Sequence, residues 1–135
     1  MSATNIEIVR RSIDAFSRGD LDTILADLAP EFEFEPSGRF VDMRGVYRGP
    51  AGFAEFWEAF QAAWDDIEVR VERMEDVDDR VLTLGHFHGH GSGSGAEITA
   101  EAAWLHTVKD GSIVHLRSFS SWQEALEAAG QSPGA

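Results

Sequence analysis

Two histidines and an arginine, His106, His115 and Arg117, flank the dipeptide Asp110-Gly111. Asp-Gly between alternating segments signals a two-residue hairpin turn. Counting outward from that turn pairs Val108 with Ile113, His106 with His115, Trp104 with Arg117 and Ala102 with Phe119. Side chains alternate strictly across a strand, so this register places all eight on one sheet face. An imidazole serves as acid or base near neutral pH. An arginine steadies a developing enolate or carboxylate. In the alternative reading, these groups bond locally or lie on a dimer face.

The nearest carboxylate candidate is Glu35. Glu31, Glu33 and Glu35 alternate with Phe32 and Phe34, as solvated acids on a strand that buries its aromatic pair. Pro36 ends that strand, and Glu35 is free there to turn inward. At the rim of an apolar pocket its pKa would rise and it would act as a base. The candidate catalytic set is therefore Glu35, His106 and Arg117. Candidate ligand-binding residues are Ser12, Phe16, Tyr47, Trp57, Phe60, Trp104, His115 and Phe119. Ser12 sits beside an apolar helix stripe, and Tyr47 is a rim group. Trp57 and Phe60 belong to an aromatic stripe that serves as core more readily than as pocket wall.

His86, His88 and His90 recur every second residue, which resembles a metal-ligand layout. Same-face neighbours on a regular strand lie about 7 Å apart, long for ligands of one ion. Pairing across the following glycine-rich loop sets His88 near Ile98 and His86 near Ala100. The tract is expected to fringe a pocket mouth or face solvent, with no metal and no cofactor. No Gly-x-Ser-x-Gly elbow marks a serine nucleophile.

The elements that must position these residues follow from hydropathy patterning. The chain has 135 residues, enough for one domain with a real core. It has no cysteine, which excludes disulfides and thiolate chemistry. Its net charge of -13 repels nucleic-acid backbones and anionic membranes, and Lys109 is the only lysine. No secretory pattern or long apolar run is present, so a cytoplasmic location is expected. Ile6, Val9, Ile13 and Phe16 mark one face of a helix over 5–18. Leu21 to Leu28 continues as a short second helix stopped by Pro30. A strand over 31–35 follows, then a short strand over 39–44. Gly49-Pro50 opens a helix carrying Phe53, Phe56, Trp57, Phe60 and Trp64. Asp65-Asp66 then turns the chain. Strands follow from Ile67, over 80–89, over 97–109 and over 112–119. Ser121 caps a closing helix that runs through 129, and 131–135 form a loose tail. The fold class is α+β: a strongly curved, mixed but mainly antiparallel sheet wrapped around three helices, with a short C-terminal helix. Both sheet faces are partly apolar, so helices cover one and a second copy of the chain covers the outer one.

This order resembles the cone-shaped fold of nuclear transport factor 2, and within it the SnoaL-like polyketide cyclase and steroid delta-isomerase relatives. The matching stretches are Ala15-Phe16-Ser17-Arg18-Gly19-Asp20, Leu28-Ala29-Pro30-Glu31-Phe32, Gly45-Val46-Tyr47-Arg48-Gly49-Pro50, Lys109-Asp110-Gly111 and Glu124-Ala125-Leu126-Glu127-Ala128-Ala129-Gly130. They span almost the whole chain and belong to scaffold rather than chemistry. The resemblance implies a carboxylate base at the end of the first strand, at Glu35 or Pro36. It places Ser12 and Trp104 where the isomerases carry an oxyanion-hole tyrosine and protonated aspartate, and both depart from that pattern. The Asp–Arg–Asp set of the epoxide-hydrolase relatives is not placed. The His/Asp pair of the cyclases has its nearest stand-in in His106 with Glu35. The resemblance also implies an inward face for Trp104, His106, His115 and Arg117. The expected partner is a small hydrophobic molecule. Three functions compete: a cofactor-independent isomerase, cyclase or lyase, a non-catalytic ligand-binding protein, and a dimeric association domain.

Overall fold

The computed structural model describes residues 2–36 and 46–130. The expected strand over 39–44 and the tail over 131–135 lie outside the described residues. Helix α1 spans Ser2–Arg18 and buries Val9 and Ile13 along its apolar stripe. Gly19 adopts φ +75°. Its N–H donates to Phe16 O, and Asp20 N–H donates to Ala15 O, the reciprocal pair of a glycine-terminated helix. Asp20 then caps α2 (Leu21–Ala26) by accepting from Thr23 N–H.

The second helix stops before Leu28, contrary to the sequence reading. Leu28 already pairs with Ile113, so β1 spans Leu28–Glu35 with Pro30 inside it. The pairing shifts register between Leu28 and Glu33, an irregularity of the kind that tolerates a proline lacking an N–H. Strand β2 is Tyr47–Arg48, antiparallel to β1, and Arg48 pairs with Glu33 through an ion pair of 2.7 Å. Helix α3 (Gly49–Ala63) begins with Pro50 near its first position and buries Phe53, Phe56, Trp57 and Phe60.

Strands β3 (Trp64–Val77), β4 (Arg80–Gly91), β5 (Glu97–Lys109) and β6 (Ser112–Phe119) form an antiparallel meander. Trp64 and Asp65 are strand residues, not a helix end and a turn, and Asp66 takes φ 52° where the β3–β4 register shifts. Strand β6 returns parallel to β1, giving the order β2-β1-β6-β5-β4-β3 in one curved, open sheet. Helix α4 (Trp122–Ala128) closes the described chain, with Ser121 capping it through Glu124 N–H. Among the described residues, no helix is long and apolar enough to cross a membrane.

The hairpin turn forms as expected: Asp110 and Gly111 have φ 51° and 79°, as the favoured two-residue turn requires. The register counted from it does not persist. Val108 faces Ile113, but Thr107 faces His115, so Val114 is an extra residue in β6. Beyond this bulge His106 pairs with Leu116, Trp104 with Ser118, Leu105 with Arg117 and Ala103 with Phe119. A one-residue slip moves every later side chain to the other face. His115 and Arg117 therefore leave the face that carries Trp104 and His106.

Helices α1, α2 and α3 bury the inner face, where Phe32, Phe34, Val81 and Phe87 join Val9, Phe53 and Phe60 in the main core. On the outer face Leu82, Leu84, Ala103, Leu105 and Phe119 pack with Ala125 and Ala129. Trp122 Nε1–H donates to Gly85 O at 2.9 Å and anchors α4 there. Part of the outer face expected to meet a second subunit is thus covered by the chain's own last helix.

Among the described glycines, Gly85 has the tightest approach to neighbouring backbone. A Cβ at this position would lie 2.1 Å from Arg70 O, beside the register shift between Val71 and Arg73. Gly85→Ala is expected to destabilise the chain by about 1–3 kcal/mol, because the obstacle is backbone and not a movable side chain. Urea unfolding would show a lower midpoint at unchanged slope. A midpoint equal to wild type would contradict the close approach.

Candidate functional site

The inner sheet face and the helices enclose a cavity of about 90 Å³. A single water needs roughly 10–15 Å³ of such space, so the cavity holds several waters or a small organic fragment. Most of its wall is apolar, with Phe32 and Phe34 from β1, Phe53, Phe56 and Phe60 from α3, and Phe16 from α1. Its polar side chains are Ser12 on α1, Trp104 and His106 on β5, and Ser118 on β6. Among the described lining residues none is a carboxylate, a lysine or an arginine.

His106 is the chemically distinctive member. Its side chain is 2% exposed, and Nδ1 is buried without a hydrogen-bond partner among the described residues. Burial pushes its pKa down from 6.5 to about 3, with a smaller push from nearby His115. The ring is neutral at pH 7, with one nitrogen donating and the other accepting. Thr83, which faces Trp104 across the β4–β5 ladder, also holds a buried hydroxyl with no partner among the described residues. Buried polar atoms left unpaired cost about 1–3 kcal/mol each. Of the two, His106 borders the cavity, so a bound molecule or water gains most there.

The expected pocket residues divide between the two faces. Ser12, Phe16, Phe60, Trp104 and His106 border the cavity, and Phe119, which packs in the outer cluster, touches it from the end of β6. Trp57 is buried behind Phe16, edge to face with ring centroids 5.4 Å apart. Tyr47 packs on Phe34 and Phe56 and is not among the lining residues. Glu35, His115 and Arg117 lie on the outer side. Glu35 accepts a hydrogen bond of 2.6 Å from His115 Nε2, and the Arg117 guanidinium lies 4.7 Å from the centroid of Phe119. Glu35 and Arg117 border a shallow polar groove with Pro36, Ser120 and Glu124.

The expected set of Glu35, His106 and Arg117 does not converge. The Val114 bulge turns Arg117 and His115 outward, and Glu35 keeps the ordinary alternation of β1 instead of turning in at Pro36. Of the two expectations for the histidine tract, a pocket mouth or solvent, the partly exposed His88 and His90 fit the second. They share the outer face with Leu82 and Leu84 and do not line the cavity. Ser118 was missed as a cavity residue for the same reason that Arg117 was included: only the bulged register points it inward.

A family model described as a SnoaL-like domain matches residues 9–116. The chain belongs to the SnoaL-like domain family. Its fold matches that of solved structures described as NTF2-like. A protein of unknown function from Burkholderia pseudomallei, described as NTF2-like, superposes with a TM-score of 0.81 at 20% identity, covering 92% of this chain and 95% of that one. A second NTF2-like protein, from Burkholderia thailandensis, gives 0.79 at 24% identity, covering 94% and 97%. TerC, co-crystallised with polyporic acid, gives 0.79 at 21% identity, covering 95% and 99%. No curated protein matches the chain.

Within this SnoaL-like domain, Ser12 and Trp104, which the sequence resemblance set at the isomerase oxyanion-hole positions, both border the cavity together with His106. They bring a hydroxyl and an indole N–H in place of a phenol and a carboxylic acid. The carboxylate that the resemblance placed at the end of the first strand is paired to His115 on the other face. Among the described residues, the cavity lining offers hydrogen-bonding groups and no carboxylate.

Proposed function

We propose that this SnoaL-like domain binds a small, uncharged, largely apolar molecule bearing one hydroxyl or carbonyl oxygen. His106 supplies the principal hydrogen bond. The observation that carries this reading is the buried, unpartnered Nδ1 of His106 at a cavity walled by phenylalanine. A charged ligand would lose its hydration without gaining a counter-charge among the described lining residues. A neutral ligand oxygen would satisfy an imidazole nitrogen already stripped of water.

Binding is favoured over turnover by the same group. A general base works best with a pKa near the working pH. His106 sits well below it, and no described lining carboxylate can assist. The isomerase, cyclase and lyase readings had Glu35 or His106 move the proton and Arg117 steady the anion, and of these three only His106 is among the described lining residues.

The test is a ligand panel followed by thermal unfolding and imidazole ¹⁵N NMR. Phenol and cyclohexanone are expected to raise the melting temperature and to shift the His106 ring resonances. Benzoate and benzylamine at equal concentration are expected to do neither. In His106→Phe the preference for phenol over toluene should disappear. Equal binding of the charged compounds, or no movement of the His106 resonances by any neutral one, would overturn the proposal.

A further inference from the structure

We propose that His88, His90 and Glu97 form a binding site for a divalent transition metal, with zinc as the best-matched ion. The site lies on the outer sheet face, away from the cavity. Its ligand atoms lie within 4.8 Å of one another. Both imidazoles turn Nε2 toward the same carboxylate oxygen: His88 Nε2 is 3.4 Å and His90 Nε2 is 3.6 Å from Glu97 Oε2. The latter distance exceeds hydrogen-bond range and the former is at its limit. Both fit the edge of a ligand tetrahedron. Zinc–nitrogen and zinc–oxygen bonds of about 2.0–2.1 Å give an edge of roughly 3.3 Å.

One of the remaining nitrogens carries a partner of the kind that fixes a metal-bound imidazole, and the other stands near one. His88 Nδ1 is 2.6 Å from Thr99 Oγ1. His90 Nδ1 is buried without a hydrogen-bond partner among the described residues and stands 3.6 Å from Asp66 Oδ2. A small rotation on metal binding would bring that carboxylate into contact.

The fold explains why the residues meet. The observed β4–β5 register pairs His90 with Glu97 and His88 with Thr99, one residue away from the pairing read from sequence. The two histidine rings come to 5.7 Å between centroids at 90°. Across from them, β3 shifts register between Asp65 and Glu68, and Asp66 takes its positive φ there. A bulge of this kind bends the strand pair and re-aims side chains. Two imidazoles and a carboxylate select zinc-like ions over calcium or magnesium, which prefer all-oxygen shells. Three protein ligands leave one tetrahedral position for water.

The test uses the full chain, stripped with chelator and titrated with zinc chloride by calorimetry. One zinc per chain is expected. His90→Gln and Glu97→Gln should each weaken binding by more than tenfold. Thr99→Val should weaken it by about 10- to 100-fold through the ring it orients. His86→Gln, beside the site, should leave the affinity unchanged. Cobalt added in place of zinc should give the strong visible absorption of a four-coordinate ion, and zinc should displace it. Near-UV circular dichroism of each metal-free variant separates lost ligation from lost folding. No heat of binding in the wild-type chain, or a His88→Gln/His90→Gln double variant that binds zinc as tightly as wild type, would overturn the proposal.

Discussion

Native stability is expected to fall as pH drops below about 6.5, and a substantial part of that fall should vanish in His106→Phe. The folded-state pKa of His106 is depressed from 6.5 to about 3. Between those values the unfolded chain holds a proton on this ring and the folded chain does not. The unfolded state therefore binds more protons, and unfolding becomes easier with each step toward acid. The slope from one such group is about 1.4 kcal/mol per pH unit, giving roughly 4–5 kcal/mol over the full window. The stabilising contribution is complete above pH 6.5 and exhausted near pH 3. The chain also has 24 acidic residues, common to wild type and variant. The informative quantity is therefore the difference between wild type and variant. Urea midpoints at pH 7 and pH 4.5 should show that difference changing by about 2–3 kcal/mol. Parallel curves for the two proteins would mean that His106 is not held neutral in the interior.

The same residue shows how far the sequence carries. His106 and Trp104 could be placed on one face because the Asp110-Gly111 turn, which both dihedrals support, lies only a few residues away, and the family resemblance set that face inward. Their neighbours across the hairpin could not. Ile113, Val114, Leu116 and Phe119 are apolar at both odd and even positions, so the β6 sequence has no phase to reveal an inserted residue. The bulge at Val114 thus changed the membership of the site without leaving a trace in hydropathy.

Glu35 failed for a different reason. Its partner is His115, eighty residues away in the chain, and the two meet only because β6 runs parallel to β1. No local pattern encodes that pairing. By contrast, the α1 ending at Gly19, the start of α3 at Pro50 and the Ser121 cap all depend on a few adjacent residues, and these features were legible. The histidine tract falls between the two cases. Its spacing was visible, but the curl that brings its rings together arises opposite it, at Asp66 in β3.

Phe32→Ala is expected to destabilise the chain by about 3–5 kcal/mol, within the usual range for removing a buried phenylalanine ring. Phe32 is fully buried, lies 6.1 Å from Phe53 between centroids, and borders the cavity. Its loss therefore enlarges a space that already exists, and α3 packs across that space with large rings that cannot easily collapse into it. The melting temperature should drop by roughly 10 °C or more for a chain of this length. An apolar cavity enlarged in this way stays dry and accepts benzene-sized molecules. Benzene at tenfold over its dissociation constant should return about 1.4 kcal/mol to the variant. Tyr47→Ala provides the contrast. Tyr47 packs on Phe34 and Phe56 without bordering the cavity, so its loss should destabilise without creating a benzene site. Rescue of Phe32→Ala alone places the added volume in the ligand cavity; equal rescue of both variants would mean that benzene binds elsewhere. A Phe32→Ala protein within about 1 kcal/mol of wild type would contradict a rigid aromatic wall, because only a wall free to close could absorb the missing ring at so small a cost.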